Sequence, residues 1–87
     1  MKIAVFDTYV TRRDGRRMHF DILVPDGTKT DAQVLAFGEA YLRARGIEAG
    51  PLTTRECRFC HTELANEEIA QVISADGVAI LELENCD

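Results

Sequence analysis

The chain has 87 residues, 46% of them hydrophobic, with fifteen acidic against ten basic side chains and a net charge of −5. One domain spanning residues 1–87 fits this length, and the acidic balance argues against a general nucleic-acid or membrane-surface binder. The apolar run Ile3 to Phe6 stops at Asp7, whereas a secretory core needs about 7–15 apolar residues and a membrane span about 20. A cytoplasmic location is therefore expected. There the three cysteines would be reduced, and their odd number leaves one unpaired in any case.

Taken in order, Lys2 to Arg13 and Arg16 to Val24 read as two strands joined by a two-residue turn at Asp14-Gly15. That register sets Thr8 opposite Asp21, Val10 opposite His19, Phe6 opposite Leu23 and Tyr9 opposite Phe20. One face then collects Ile3, Val5, Tyr9, Phe20, Ile22 and Val24, with Asp7 as a lone intruder. The other holds Ala4, Phe6, Val10 and Leu23 around Thr8, His19 and Asp21, and is expected to be partly wet.

Thr30 and Gln33 form a capping box that opens a helix over 31–45. Val34, Leu35, Phe37, Gly38, Tyr41 and Leu42 recur at helical spacing within it, and Gly46 stops it. After Gly50-Pro51, a short strand is predicted over Thr53 to Phe59. Asn66 caps a second helix running to about Ala75, with Ile69, Val72 and Ile73 as its apolar stripe and Asp76-Gly77 as its end. Val78 to Glu84 alternates as a last strand. The expected fold is α+β: a single four-stranded sheet with two helices packed on one face, in the order β-β-α-β-α-β. Strands three and four would be parallel neighbours, carrying Cys86 toward Cys57, Cys60 and His61, with His19 at the far end of the sheet.

The segment Met18-His19-Phe20-Asp21, the run Glu56-Cys57-Arg58-Phe59-Cys60-His61-Thr62-Glu63 and a final strand ending in Cys86 resemble the bacterial family catalogued as domain of unknown function 2024. The resemblance spans nearly the whole chain, and the cysteine–histidine run is its most specific part. It implies a short, cytoplasmic bacterial protein of one domain. It supplies no reaction, cofactor or functional residue.

Chemistry is concentrated at Cys57-Arg58-Phe59-Cys60-His61. Cys57, Cys60, His61 and Cys86 are a candidate tetrahedral zinc set, although only one Cys-x-x-Cys half-site is present. A thiol redox pair at Cys57 and Cys60 is the alternative. The helix that would activate it begins several residues away, and no proline follows residue 51. The Cys-x-x-Cys-His spacing also matches covalent haem attachment, a chemistry carried out outside the cytoplasm. The plainest reading, and the favoured one, is that Cys57 and Phe59 are core and His61 a polar residue at a helix entrance.

Arg12, Arg13, Arg16 and Arg17 surround the hairpin turn and are a candidate anion contact, the alternative being a solvated tip with Asp14 giving partial relief. His19 and Asp21 lie two apart on one strand face, with no recognisable nucleophile beside them. Phosphate-binding glycine loops, a nucleophile elbow and paired metal carboxylates are absent from the sequence, so nothing points to catalysis. The expectation is a small binding or adaptor domain, with zinc as the one candidate cofactor and a protein partner or second copy as the candidate partner. The alternative is a thiol-based redox protein.

Overall fold

The computed structural model covers Met1–Asp87. Its elements are β1 (Lys2–Thr11), β2 (Arg17–Pro25), α1 (Asp31–Ala44), β3 (Cys57–Leu64), α2 (Glu67–Asp76) and β4 (Ala79–Glu84). The α+β class and the order β-β-α-β-α-β are those expected. All three strand pairings are antiparallel, in a single sheet of order β3-β1-β2-β4.

The turn between β1 and β2 is one residue longer than expected, and this changes both faces of the sheet. Arg12 and Arg16 close it, the Arg12 amide donating to the Arg16 carbonyl at 2.8 Å and the Gly15 amide to the Arg12 carbonyl at 2.9 Å. Gly15 sits at φ +88°, the left-handed residue that ends a three-residue hairpin loop. Tyr9 therefore faces His19, Thr8 faces Phe20 and Asp7 faces Asp21. The four pairs expected from a two-residue turn do not form. Because side chains alternate along a strand, a slip of one residue on β2 moves its whole apolar set to the other face.

In the actual register, Ala4, Phe6 and Val10 share a face with Met18, Phe20, Ile22 and Val24, and Val34 and Leu42 of α1 cover them. The approach is close: a Cβ on Gly38 would lie 2.7 Å from Leu52 Cδ1 and 3.0 Å from Ile22 Cδ1. Ile3, Val5 and Leu23 occupy the other face with Ala79, under Ile73 and Ile69 of α2. The two helices thus lie on opposite faces of the sheet, not on one. A central strand that is apolar on both sides needs cover on both.

The helix boundaries follow the expected chemistry. Gln33 N–H donates to Thr30 Oγ1 at 3.2 Å and Thr30 N–H to Gln33 Oε1 at 2.9 Å. Asn66 Oδ1 accepts from Ile69 N–H at 2.8 Å, and Gly77 ends α2 at φ +81°. The third strand departs from expectation. Residues 53–56 form a turn instead, held by Thr53 N–H donating to Glu56 Oε1 at 2.9 Å and Cys57 N–H to the Thr53 carbonyl at 3.1 Å. The strand then runs from Cys57 to Leu64 along the sheet edge with only its first residue buried. β3 and β4 form opposite edges, so they are not the parallel neighbours expected.

The face assignment makes a stability prediction. Phe20 is fully buried and Phe59 is 56% exposed, its ring edge-on to Phe6 with centroids 5.7 Å apart. Phe20→Ala should cost about 3–5 kcal/mol in urea unfolding. Phe59→Ala should cost about 1 kcal/mol. Equal losses would contradict this packing.

Candidate metal centre

α2 has ten residues and is about 15 Å long, whereas the ten residues of β1 extend about 33 Å. The helix therefore covers only part of its face, and the uncovered part presents Asp7, Tyr9, His19 and Asp21. His19 Nε2 lies 3.6 Å from Asp7 Oδ1 and 3.6 Å from Asp21 Oδ1. One possible ligand atom from each of the three residues falls within 4.8 Å of the others. The side chains of His19 and Asp21 are only 15% and 13% exposed, and that of Asp7 36%. His19 Nε2 and Asp21 Oδ1 are shut off from solvent without a hydrogen-bond partner, a costly arrangement for buried polar atoms.

The surroundings fix the imidazole. Tyr9 stacks on His19 with ring centroids 4.1 Å apart and planes 12° apart, and the Arg17 guanidinium lies 4.2 Å from the Tyr9 centroid on that ring. Glu84 Oε1 is 3.8 Å from His19 Nδ1. The other ring nitrogen, Nε2, points between the two aspartates.

Asp7 and Asp21 are directly cross-strand, which costs stability when both are ionised. The adjoining Asp21 carboxyl is the main reason Asp7 is held below the usual carboxylate range. Burial first, and then the contact with Asp7, push Asp21 up to about 6. Two carboxyls so placed share one proton as the pH falls, and the proton resides on Asp21.

The four residues of the expected zinc set do not converge. Cys57 is buried opposite Thr8 on the α1 face, and burial pushes its thiol up. Cys86 is buried beyond the end of β4, its Sγ donating to the His19 carbonyl at 3.3 Å. With its Sγ against β2, Cys86 is separated from Cys57 on β3 by β1, about 10 Å, and the four residues do not bring their ligand atoms within 4.8 Å of one another. That excludes a common zinc ion, which needs Zn–S bonds of about 2.3 Å. Cys57 and Cys60 lie on opposite faces of β3, so the redox pair cannot close as a disulfide.

Cys60 and His61 lie on the Asp7 side of the sheet, next to the group formed by Asp7, His19 and Asp21 but outside it, through a feature absent from the expected strand. Val5 pairs with His61 and Phe6 with Phe59, leaving Cys60 as a bulged extra residue. The bulge turns Cys60 and His61 to the Asp7 side together. Cys60 Sγ is 3.1 Å from His61 Nδ1, and His61 Nε2 is 2.8 Å from Glu63 Oε1. Desolvation and the adjoining Asp7 carboxylate push the Cys60 thiol up, so it is not an activated redox thiolate. His19, expected at the far end of the sheet, shares this face with Cys60 and His61.

Each arginine of the expected anion contact already has a protein partner. Arg12 Nη1 donates to the carbonyls of Asn85 at 2.8 Å and Asp87 at 2.6 Å. Arg16 holds Asp14 at 2.9 Å and Asp87 at 3.1 Å. Arg13 pairs with Glu48 at 2.8 Å, and Arg17 lies on Tyr9.

The strand order, the two-sided cover and the polar corner define a small α+β domain with one partly open sheet face. The chain belongs to the family described as domain of unknown function (DUF2024), whose model matches residues 1–83. It is similar to the NMR structure of protein NE1680 from Nitrosomonas europaea, a Northeast Structural Genomics Consortium target. The TM-score is 0.84 at 39% identity, with 100% of each chain covered. No curated protein matches the chain.

The shared proton has a definite sign in stability. Asp21 titrates higher folded than its ordinary value of 3.8, so the folded chain binds more protons between about pH 4 and 6. Stability is then lost as pH rises through that window. Asp21→Asn removes the penalty. Its melting temperature at pH 7.5 should exceed the wild type's by about 4 °C or more. The gap should close near pH 4. A variant less stable than wild type at pH 7.5 would contradict the assignment.

Proposed function

We propose that this protein is a small cytoplasmic metal-binding domain whose centre is Asp7, His19 and Asp21. The observation that carries the reading is the approach of three ligand atoms to within 4.8 Å, two of them buried and without a hydrogen-bond partner. A divalent cation supplies the missing partner for both atoms and cancels the repulsion between the paired carboxylates. The stack of Arg17, Tyr9 and His19 holds the ring in place beforehand, which lowers the cost of binding. Its three cysteines are free thiols, compatible with a reducing compartment. No helix is long and apolar enough to cross a membrane.

Titration calorimetry with Zn(II) on chelator-treated protein tests the reading. The wild type should bind one ion per chain. At a free ion concentration of about 100 Kd it should gain about 2.7 kcal/mol, a rise in melting temperature of about 10 °C or more. His19→Ala should weaken binding by about 100-fold or more, a loss of about 2.8 kcal/mol. Absence of saturable binding, or equal affinity in His19→Ala, would overturn it.

A further inference from the structure

The three ligands of the proposed centre come from β1 and β2 alone, and one side of it is bordered by β3. There the strand carries a bulge, a feature common at sheet edges. With strict alternation, Cys60 and His61 would point to opposite faces. The bulge between the Val5 and Phe6 pairings instead carries both to the face of Asp7. Cys60 lies beside the Asp7 carboxylate, with its Sγ 3.1 Å from His61 Nδ1. A thiol therefore adjoins the centre, with the His61 imidazole behind it and Glu63 behind that.

Resting on the metal-binding reading above, we propose that Cys60 is the fourth ligand of the ion held by Asp7, His19 and Asp21. The centre then takes a zinc-class cation in preference to magnesium or calcium. A set of two carboxylates, one imidazole and one thiolate is four-coordinate and contains sulfur. Zinc and cobalt accept such a shell, whereas magnesium and calcium demand oxygen ligands in larger number.

His61 is a positioning residue in this scheme. Its Nε2–H donates to Glu63 at 2.8 Å, which leaves Nδ1 as an acceptor 3.1 Å from Cys60 Sγ. When the metal–sulfur bond forms, the S–H bond breaks and its proton passes to His61 Nδ1. The resulting imidazolium keeps its contact with Glu63 and donates to the metal-bound sulfur. No electrons are transferred and no co-reactant is needed. Glu84 Oε1 lies 3.8 Å from His19 Nδ1 on the other side of the centre. Cys60 Sγ stands outside the three ligand atoms that already lie within 4.8 Å of one another; exposed on an edge strand, the side chain rotates toward the ion without disturbing the core.

Cobalt(II) titration followed by optical absorption is the test, on chelator-treated wild type, Cys60→Ser and His19→Ala. Wild type should develop intense tetrahedral ligand-field bands together with a sulfur-to-cobalt charge-transfer band in the near ultraviolet. Millimolar magnesium should not displace the ion. Cys60→Ser, at an exposed position, should stay folded, lose the charge-transfer band and bind cobalt about 10- to 100-fold more weakly. His19→Ala should lose both sets of bands. Cobalt bound without a charge-transfer band, or with equal affinity in Cys60→Ser, would overturn the thiolate ligand and leave the Asp7–His19–Asp21 centre standing. Failure of wild type to bind cobalt, or unchanged binding in His19→Ala, would remove that centre and this inference with it.

Discussion

Everything on the open face depends on the register of β1 against β2, which sets Asp7 against Asp21 and Tyr9 against His19. The register is decided at the loop, where Gly15 takes up a left-handed conformation at φ +88° and the turn has three residues rather than two. With one residue fewer, Phe20, Ile22 and Val24 would face α2 while His19 and Asp21 pointed into the α1 core. The burial of Met18, Phe20 and Ile22, all at 0% exposure, is the energetic reason the alternative does not compete. Each such side chain contributes roughly 1.5–3 kcal/mol by leaving water, and a slip would forfeit all three together while burying an imidazole and a carboxylate. The polar centre is held in position by the apolar core on the other side of the same strands.

The same register imposes a cost. Two aspartates directly opposite one another near the middle of the two central strands oppose folding, and a buried imidazole nitrogen without a partner adds to that. Neither is needed to build the sheet, since the hairpin, both helices and both apolar layers are accounted for without them. Local conflicts of this kind tend to sit at functional sites, where stability is given up for binding. The hairpin tip presents a different case. Its arginines are similarly crowded, yet each is matched by a carbonyl, a carboxylate or an aromatic ring of the chain itself. The repulsion there is resolved internally, and the repulsion at Asp7 and Asp21 is not.

Much of the fold was legible in the sequence because its punctuation is chemically explicit. Thr30 with Gln33, Asn66, Gly46 and Gly77 each do one job that few other residues do, and the helices start and stop where they indicate. Strand content was legible for β1, β2 and β4, whose apolar residues are numerous. β3 was not, because seven of its eight residues are exposed and an edge strand carries little hydrophobic pattern. The capping-box spacing of Thr53 and Glu56 was the available sign that residues 53–56 form a turn. The candidate site was legible only in pieces. Asp7 stood out as a charge in an apolar strand, and His19 and Asp21 as neighbours on one face. Joining them required the register, and the register turned on whether Asp14-Gly15 closed a loop of two residues or three. A dipeptide common to both turn types cannot decide that.

The cysteine-rich run illustrates why spacing alone misleads on an edge strand. Cys57 and Cys60 are three apart, which in a loop would make them partners and in a strand sends them to opposite faces. The strand separates them, so Cys57 becomes a core side chain, as the plainest reading of the sequence had it. Phe59, expected in the core with it, is instead 56% exposed, and His61 lies within β3 and not at a helix entrance. The bulge then undoes the alternation one residue later and delivers Cys60 and His61 to the same side. α2, too short to cover the whole of its face, leaves that side open where Asp7 lies. Insertion of a single residue into an edge strand costs little, because only one neighbour constrains its pairing. It can therefore add side chains to a centre whose other members are locked in the middle of the sheet.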